Sequence, residues 1–129
     1  MKLLFVADVF GSPGRRAVED RLGSLRQELD VDFCVVNGEN AADGVGLTPK
    51  LAEKLLAAGA DVLTLGNHTW RRRELAEWLP RAARVARPGN LSRHTPGRGV
   101  VVAESRGGEP VAVVNLMGSL FIEVGKWVL

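Results

Sequence analysis

The sequence predicts an α/β fold in which a parallel sheet is followed by a β-hairpin-like C-terminal part. Three short apolar runs, residues 2–7, 33–36 and 62–65, have the length and composition of buried strands. A segment with helical character follows each run, and strands that alternate with helices are typical of parallel sheets with right-handed crossovers. We therefore expect a βαβαβα arrangement before the hairpin.

The first strand–helix unit covers about residues 2–29. The run Lys2–Ala7 is continuously apolar after its lysine, which is typical of a strand covered on both faces. Ser12-Pro13 predicts a helix cap followed by proline at the first helical position. Four apolar residues then recur at spacings of 4, 3 and 4, which predicts one face of an amphipathic helix: Val18, Leu22, Leu25 and Leu29.

The second unit repeats this pattern. The buried run at residues 33–36 ends at the polar stretch Asn37-Gly38-Glu39-Asn40. Thr48-Pro49 again predicts a cap and a first helical residue. The apolar side of the helix is formed by Leu51, Leu55 and Leu56, and Gly59 is expected to end it.

The third unit and the hairpin complete the predicted order. Val62–Leu65 is the third strand, and Glu74–Leu79 begins a helix that Pro80 interrupts. Residues 87–99 are rich in proline and glycine and are expected to form a loop. Two β-rich runs, Val100–Ala103 and Val111–Val114, then flank a turn signal at Arg106-Gly107-Gly108.

The overall composition predicts a cytoplasmic protein without a membrane segment. The chain has 129 residues, which suits one domain, with 46% apolar and 25% charged residues. The apolar run before Asp8 is too short for a secretory signal, which needs about 7–15 apolar residues, or for a membrane span of about 20. The single cysteine, Cys34, has no disulfide partner, which favours a reducing compartment.

Arginine is concentrated in residues 71–106. This segment has nine arginines and three glutamates, a net charge of +6, although the net charge of the whole chain is only +2. Such a segment suits an anionic partner, either a phosphate compound or a nucleic acid. A solvated helix face and loop would have the same composition. The sequence therefore leaves a second function open, that of a non-catalytic fragment or an RNA- or protein-binding module.

The residues that could perform chemistry follow the three predicted strands: Asp8 after the first, Glu39 and Asn40 after the second, Asn67 and His68 after the third. The carboxyl ends of parallel strands line a common crevice, where such folds bind ligands. Carboxylate, amide and imidazole groups suit Mn, Fe, Mg or Zn. A bridging carboxylate could hold two ions roughly 3.5–4 Å apart, as in two-metal phosphoryl chemistry.

Each of these residues also has a structural explanation when it is taken alone. Asp8 could cap a helix, the asparagines could form turns, and His68 could fill a hydrogen-bonded niche. The functional interpretation is favoured because three loops bring such groups to the same end of the sheet. The other histidine, His94, lies in the loop of residues 87–99 and is expected to be a surface residue.

Other site types are excluded by missing residues. GSPGRR at residues 11–16 has no Lys-Ser/Thr pair, so it is not a P-loop, and no G-x-G-x-x-G follows the first strand. Cys34 lies inside a strand without a neighbouring base, which argues against a cysteine nucleophile.

Five stretches carry a resemblance to a known family: Asp8 with GSPGR, VNGENAADGVGLT, GADVLTLGNHTW, RPGNLSRHTPGRG and VAVVNLMG. They resemble the calcineurin-like metallophosphoesterases, and in particular the bacterial YmdB-like branch of phosphodiesterases. The resemblance covers about residues 1–118. It implies that the α/β fold is part of a calcineurin-like metallophosphoesterase sandwich.

The resemblance also implies a dinuclear site with two divalent metal ions, Fe, Mn or Mg, with Zn as a further candidate. Asp8 would bind one ion, Glu39 would bridge both, Asn40 would assist at the first and Asn67 would bind the second. His68 would be the catalytic histidine beside the scissile phosphate, and a metal-activated water would be the nucleophile. The implied substrates are small phosphodiesters such as 2′,3′-cyclic nucleotides, or RNA-derived ones. A homo-oligomer is a further possibility.

The sequence departs from this family at its C-terminal end. The remaining histidine ligands of the family, in motifs such as DFHAE and GTHTH, have no counterpart in a chain whose histidines are His68 and His94. Residues 119–129 also do not resemble the family. We therefore expect residues 1–129 to form a single truncated metallophosphoesterase domain with an atypical tail at 119–129 and an incomplete metal centre.

Overall fold

A four-stranded parallel sheet forms the centre of the computed structural model, which describes residues 1–118. Its order follows the sequence: β1 (Leu3–Val6), β2 (Phe33–Asn37), β3 (Val62–Thr64) and β4 (Val85–Ala86). The parallel α/β arrangement predicted from the sequence is confirmed. β4 was not predicted, because a strand of two residues has no periodicity to recognise.

Three helices connect these strands: α1 (Gly11–Glu28), α2 (Pro49–Ala57) and α3 (Arg73–Trp78). The predicted start of α2 is confirmed, because the Thr48 hydroxyl accepts a hydrogen bond from the Leu51 N–H at 3.2 Å. A 3-10 turn at Leu79–Arg81 contains Pro80 and ends the segment that begins with α3. No helix within residues 1–118 combines the length and the apolarity that crossing a bilayer requires.

The predicted cap of α1 at Ser12 is wrong. The helix begins at Gly11 after Phe10, and no side chain caps it. Gly11 has a φ of +56°, a left-handed conformation that glycine adopts without the clash of a Cβ atom. The Ser12 hydroxyl accepts from Arg16 at 3.3 Å instead of capping the helix. The predicted apolar face of α1 also ends early, because Leu29 is 46% exposed.

The predicted hairpin is present as β5 (Val100–Glu104) and β6 (Pro110–Val114), which pair antiparallel. It packs on one face of the parallel sheet, and the helices cover the other face. The hairpin side of the core contains Phe33, Val35, Val62, Ala86, Val101 and Val111. The helix side includes Val18, Leu22, Leu55, Leu63 and Leu75.

The expectation that β1 is covered on both faces is wrong. Leu4 and Val6 pack against the helix side of the core. Leu3 and Phe5 lie beside Phe33 and Val35 of β2 and so point to the hairpin side, but they are 52% and 56% exposed. The hairpin packs on residues of β2, β3 and β4 and leaves the outer strand open.

Asp32 joins the start of the chain to the hairpin. Its carboxylate accepts from the backbone N–H of Lys2 at 2.6 Å and from the Arg106 guanidinium at 2.8 Å. The hydrogen bond from Lys2 is the main reason that the pKa of Asp32 is lowered, and the positive charge of Arg106 adds to it against a partly opposing desolvation. Arg106 also contacts Asp30 at 2.6 Å.

We expect Leu63→Ala to lower the free energy of unfolding by about 2–5 kcal/mol, because it leaves a cavity in the fully buried centre of β3. Urea denaturation followed by circular dichroism measures this change. The matched control, Leu29→Ala at the exposed end of α1, should cost less than about 1 kcal/mol. Equal losses in the two variants would contradict the described core.

We also expect stability to decrease in acid through Asp32. Its pKa is lower in the folded chain than its usual 3.8, so its contribution is present above that pH and is lost as the pH falls through the folded value. Asp32→Asn should lower stability at pH 7 and flatten the acid part of the stability–pH curve, measured by denaturation between about pH 2 and 7. An unchanged curve in Asp32→Asn would contradict the role of this carboxylate.

Candidate functional site

The parallel register brings the polar ends of β1, β2 and β3 to one edge of the sheet. Backbone hydrogen bonds continue just past the strands: the Val9 N–H donates to Asn37 O at 3.0 Å, and the Gly38 N–H donates to Thr64 O at 3.1 Å. The loops that follow are therefore held side by side. They bring Asp8, Glu39, Asn40 and His68 into one hydrogen-bonded group.

Asn40 lies between the carboxylate of Asp8 and the imidazole of His68. Its Nδ2 donates to Asp8 Oδ1 at 2.6 Å, and its Oδ1 lies 2.5 Å from His68 Nδ1. A carboxylate only accepts, so it fixes which end of the amide faces it. Because Asn40 then presents its oxygen to the ring, Nδ1 of His68 must carry a proton and donate it. Nε2 is left as the nitrogen that can exchange a proton with a bound molecule.

Glu39 occupies a niche beside the backbone of the loop after β3. Its Oε2 accepts from the backbone N–H of His68 at 3.3 Å. A Cβ atom on Gly66 would lie 2.3 Å from both carboxylate oxygens, far inside van der Waals contact. Glycine at position 66 is therefore what allows Glu39 to reach this place.

The backbone of Asp8 has an uncommon conformation. Its φ is +49°, in the left-handed region that residues other than glycine rarely adopt, although aspartate tolerates it better than most. Such conformations concentrate at functional sites, where the surrounding structure holds them in place. Two hydrogen bonds at this residue supply that support. The N–H of the next residue, Val9, donates to Asn37 O, and Asn40 Nδ2 donates to the Asp8 carboxylate.

Two arginines hold the loop that follows Asn40. Arg72 donates from Nη2 to Ala42 O at 3.1 Å and from Nε to Val45 O at 3.2 Å. Arg15 of α1 donates to Ala41 O. The loop is therefore fixed from both neighbouring strand–helix units, and it keeps Asn40 in line with Asp8 and His68.

The other candidates do not belong to this hydrogen-bonded group. Asn67 is exposed next to His68 in the chain, and His94 is exposed in the loop after β4, as expected of a surface residue. Burial raises the pKa of the Cys34 thiol to about 11, so this residue is unsuited to act as a nucleophile at neutral pH.

Asn115 is a residue at this edge to which the sequence analysis gave no role. Its Nδ2 donates to Leu65 O at 2.7 Å and to Ala86 O at 2.8 Å, which joins the end of the hairpin to the ends of β3 and β4. The signal was present in the sequence. A lone asparagine directly follows an apolar β-run, as Asn37 does after the apolar part of β2.

Arg87 belongs to the arginine-rich segment 71–106, which was expected to suit an anionic partner, but its side chain is buried. It is 5% exposed and donates to three backbone oxygens, those of Pro88 at 2.7 Å, Pro96 at 3.1 Å and Thr95 at 3.3 Å. Burial lowers the pKa of its guanidinium. Arg106 is likewise paired with Asp30 and Asp32, so with Arg72 at least three of the nine arginines stabilise the fold itself.

The small number of donor side chains limits how well this group can bind a metal ion. Within residues 1–118, no three side chains of the His, Cys, Asp and Glu types lie together as a metal site requires. The oxygen donors at the sheet edge come from two carboxylates, Asp8 and Glu39, and from the amides of Asn40 and Asn67. Oxygen donors of this kind suit hard divalent cations.

Comparison with known sequences finds relatives along almost the whole chain. The model of a family described as YmdB-like protein matches residues 4–126. A Bacillus subtilis (strain 168) protein named 2′,3′-cyclic-nucleotide 2′-phosphodiesterase is 41% identical over 122 residues, which represent 95% of this chain and 46% of that protein.

Two solved structures match the fold closely. A hypothetical protein from Thermus thermophilus superposes with a TM-score of 0.85 at 40% identity, over 94% of this chain and 46% of that one. A protein described as a novel phosphatase from Mycoplasma pneumoniae has a TM-score of 0.83 at 32% identity, over 92% and 43%. The chain thus spans about half the length of the relatives that it matches.

We expect Gly66→Ala to move the Glu39 carboxylate out of its niche and to break its hydrogen bond with the His68 N–H. The long Glu39 side chain can give way, so the fold should persist. The backbone amide of His68 should then shift in a ¹⁵N–¹H correlation spectrum and exchange its proton faster. Gly23→Ala, where an added Cβ meets nothing within 4 Å, is the control and should leave the His68 amide unchanged. An unmoved His68 amide in Gly66→Ala would contradict the described contact.

Proposed function

The chain belongs to the YmdB-like protein family, and on this basis we propose that it provides catalytic residues of a metal-dependent phosphodiesterase. The observation that supports this best is the hydrogen-bonded series Asp8–Asn40–His68, with Glu39 bound to the same loop. In this arrangement carboxylate oxygens and a histidine with its proton on Nδ1 lie together at the carboxyl edge of a parallel sheet. That is where α/β folds bind their ligands.

The substrate class that we propose is a small phosphodiester, such as a 2′,3′-cyclic nucleotide or one derived from RNA. The support is the name of the Bacillus subtilis relative. Opening such a ring at the 2′ position forms a bond from a water oxygen to phosphorus and breaks the bond to the 2′ oxygen. The departing oxygen takes up a proton, and a 3′-phosphate remains.

In this proposal His68 handles that proton. Its Nδ1 is engaged with Asn40, so Nε2, which carries a lone pair in this tautomer, is the position that takes a proton from the attacking water and gives it to the leaving oxygen. Asn40 holds the ring in this tautomer, because Asp8 fixes the direction of the amide. Glu39 accepts from the His68 backbone and so sets the position of the residue that carries the ring.

We propose that Asp8, Glu39, Asn40 and Asn67 hold divalent cations. The donor set fits, because two carboxylates and two amide oxygens are hard ligands suited to Mn, Fe or Mg, with Zn as a further candidate. A bound cation would polarise the phosphate and make a water molecule more acidic. Four donors are too few for two ions, so we expect residues 1–118 to hold one ion weakly and a second ion to need additional ligands.

We further propose that the 129 residues form one partial domain of this family. The family model matches residues up to 126, and the tail that was predicted to be atypical, 119–129, lies outside the described residues. The alternative, a binding module that uses residues 71–106, stays a prediction. Within residues 1–118 no contact favours it, and Arg87 and Arg106 of that segment are engaged within the fold.

The test of metal binding is a titration with Mn²⁺ followed by calorimetry and by paramagnetic broadening of backbone amide signals. We expect one weak site, with broadening centred on residues 8, 39, 40 and 67. Glu39→Gln should abolish it, because one of the two carboxylates is lost. Glu77→Gln is the matched control: this glutamate is exposed and pairs with Arg73 on α3, so the site should remain. Broadening spread over the surface would contradict a specific site.

The test of catalysis is Mn²⁺-dependent hydrolysis of bis(p-nitrophenyl) phosphate by the 129-residue chain. We expect slow hydrolysis that falls by roughly 10²-fold or more in His68→Ala, the usual range for removal of an acid–base group. His94→Ala, the exposed histidine, is the control and should keep the rate. No hydrolysis above background with Mn²⁺ or Fe²⁺, or equal loss in both variants, would contradict catalysis by this chain.

A further inference from the structure

Each of the three loops at the carboxyl edge of the parallel sheet carries an exposed large apolar side chain. Phe10, Val45 and Trp70 are 61%, 42% and 37% exposed, and they lie in the loops that follow β1, β2 and β3. Single exposed apolar residues are ordinary on a protein surface, but here one occurs in every loop that supplies a polar side chain to the site. Ligand sites commonly combine such apolar surface with a few polar groups.

Phe10 is the most exposed of the three, and its backbone is tied to the polar group. It follows Asp8 by two residues, so the Cα atoms of the two residues lie within about 7 Å of each other. The next residue, Gly11, donates its N–H to Asn40 O at 2.9 Å. The aromatic residue is therefore held beside the asparagine that contacts both Asp8 and His68.

The tip of the Phe10 ring rests on the backbone of Gly44. A Cβ atom on Gly44 would lie 2.9 Å from Cε2 of the ring and closer still to Cζ, so a larger residue would displace the ring. The φ of Gly44 is +86°, which glycine adopts without strain. Its N–H donates to Asn40 O at 3.0 Å, the oxygen that also accepts from Gly11. The ring thus has a defined place although most of the residue stays accessible.

The fold itself does not require an aromatic side chain at this position. Phe10 precedes α1 as its N-cap residue, but it makes no side-chain hydrogen bond there. An aliphatic residue would offer apolar surface of similar size without a π-face. An accessible aromatic ring beside a phosphodiester site is suited to a planar partner, and every nucleobase has a π-face that stacks on such a ring.

We propose that Phe10 selects nucleotide phosphodiesters by stacking on the base while Asp8, Asn40 and His68 face the phosphate. The inference rests on the proposed function, because it assigns a place to the base of a substrate whose phosphate lies at that site. Stacking does not read the hydrogen-bonding edge of a base. Phe10 therefore favours nucleotides over phosphodiesters without a base, and it discriminates little between one base and another.

The experiment compares two ligands of the 129-residue chain: 3′-AMP and 1-O-methylribose 3-phosphate, which is the same sugar phosphate without the base. Both are monoesters, so no diester is hydrolysed during the titration. Dissociation constants are measured with Mg²⁺ present, from the shifts of backbone amide signals in ¹⁵N–¹H correlation spectra. We expect 3′-AMP to bind more tightly and to shift residues 10, 11 and 44, which the base-free ligand leaves in place.

Phe10→Leu should weaken the binding of 3′-AMP by roughly fivefold or more, because the π-face under the base is lost while an apolar side chain remains. Binding of the base-free ligand should not change. 3′-UMP should respond to Phe10→Leu in the same direction as 3′-AMP. The matched control is Phe5→Leu, the same change at a phenylalanine that is 56% exposed on the hairpin side of β1, and it should leave both affinities unchanged. Circular dichroism of each variant confirms that the fold is kept.

Adenosine, which has the base but no phosphate, separates this inference from the proposed function. If the base-free phosphate binds but Phe10→Leu leaves 3′-AMP binding unchanged, stacking on Phe10 is wrong and the phosphate site stands. If adenosine binds and needs Phe10 but the base-free phosphate does not bind, stacking stands and the phosphate site is wrong.

Three further results would overturn the inference. One is the absence of binding by all three ligands. Another is a loss of 3′-AMP binding in Trp70→Leu that Phe10→Leu does not share, since the base would then lie on the other aromatic side chain. The third is a dimer of the chain, measured by light scattering, that Phe10→Leu dissociates, since a second copy would then cover the ring.

Discussion

The parallel pairing of β1, β2 and β3 is the constraint on which the rest of the structure depends. Parallel strands all point the same way, so whatever follows them arrives at one edge. Here the pairing extends just past the strands, through Val9 with Asn37 and Gly38 with Thr64. Those two bonds bring three loops within hydrogen-bonding distance of one another. The Asp8–Asn40–His68 series follows from this alignment more than from any property of the loops themselves.

Most of the fold and most of the site could be predicted because both follow from local patterns. Thr48-Pro49 defines the start of a helix within two residues, and a polar residue after an apolar run marks the end of a strand. The parallel topology then places Asp8, Glu39 and His68 together without further information. The sequence could not show which of these groups form hydrogen bonds with each other, because that depends on differences of a fraction of an ångström in the distances between side chains.

The features that were missed depend on contacts that no sequence pattern marks. β4 is two residues long and exists because it pairs with β3. Arg87 is one arginine among nine in its segment, and only the backbone oxygens of residues 88, 95 and 96 make it a buried structural residue. The prediction that β1 is covered on both faces was wrong for a related reason. An apolar run shows that a strand can be buried on both faces, but not that the described chain supplies both covers.

Through the amide of Asn40, the tautomer of His68 depends on Asp8, a residue to which the imidazole ring is not itself hydrogen-bonded. An asparagine side chain rotated by half a turn exchanges its donor and its acceptor while keeping nearly the same shape. Among the described residues, 1–118, the negative charge on Asp8 is what favours one of these two orientations. A neutral side chain at position 8 would let the amide turn over and present its NH₂ group to the ring. His68 would then have to accept at Nδ1 and carry its proton on Nε2. One charge just after β1 therefore decides whether Nε2 of His68 presents a lone pair or a proton to a ligand.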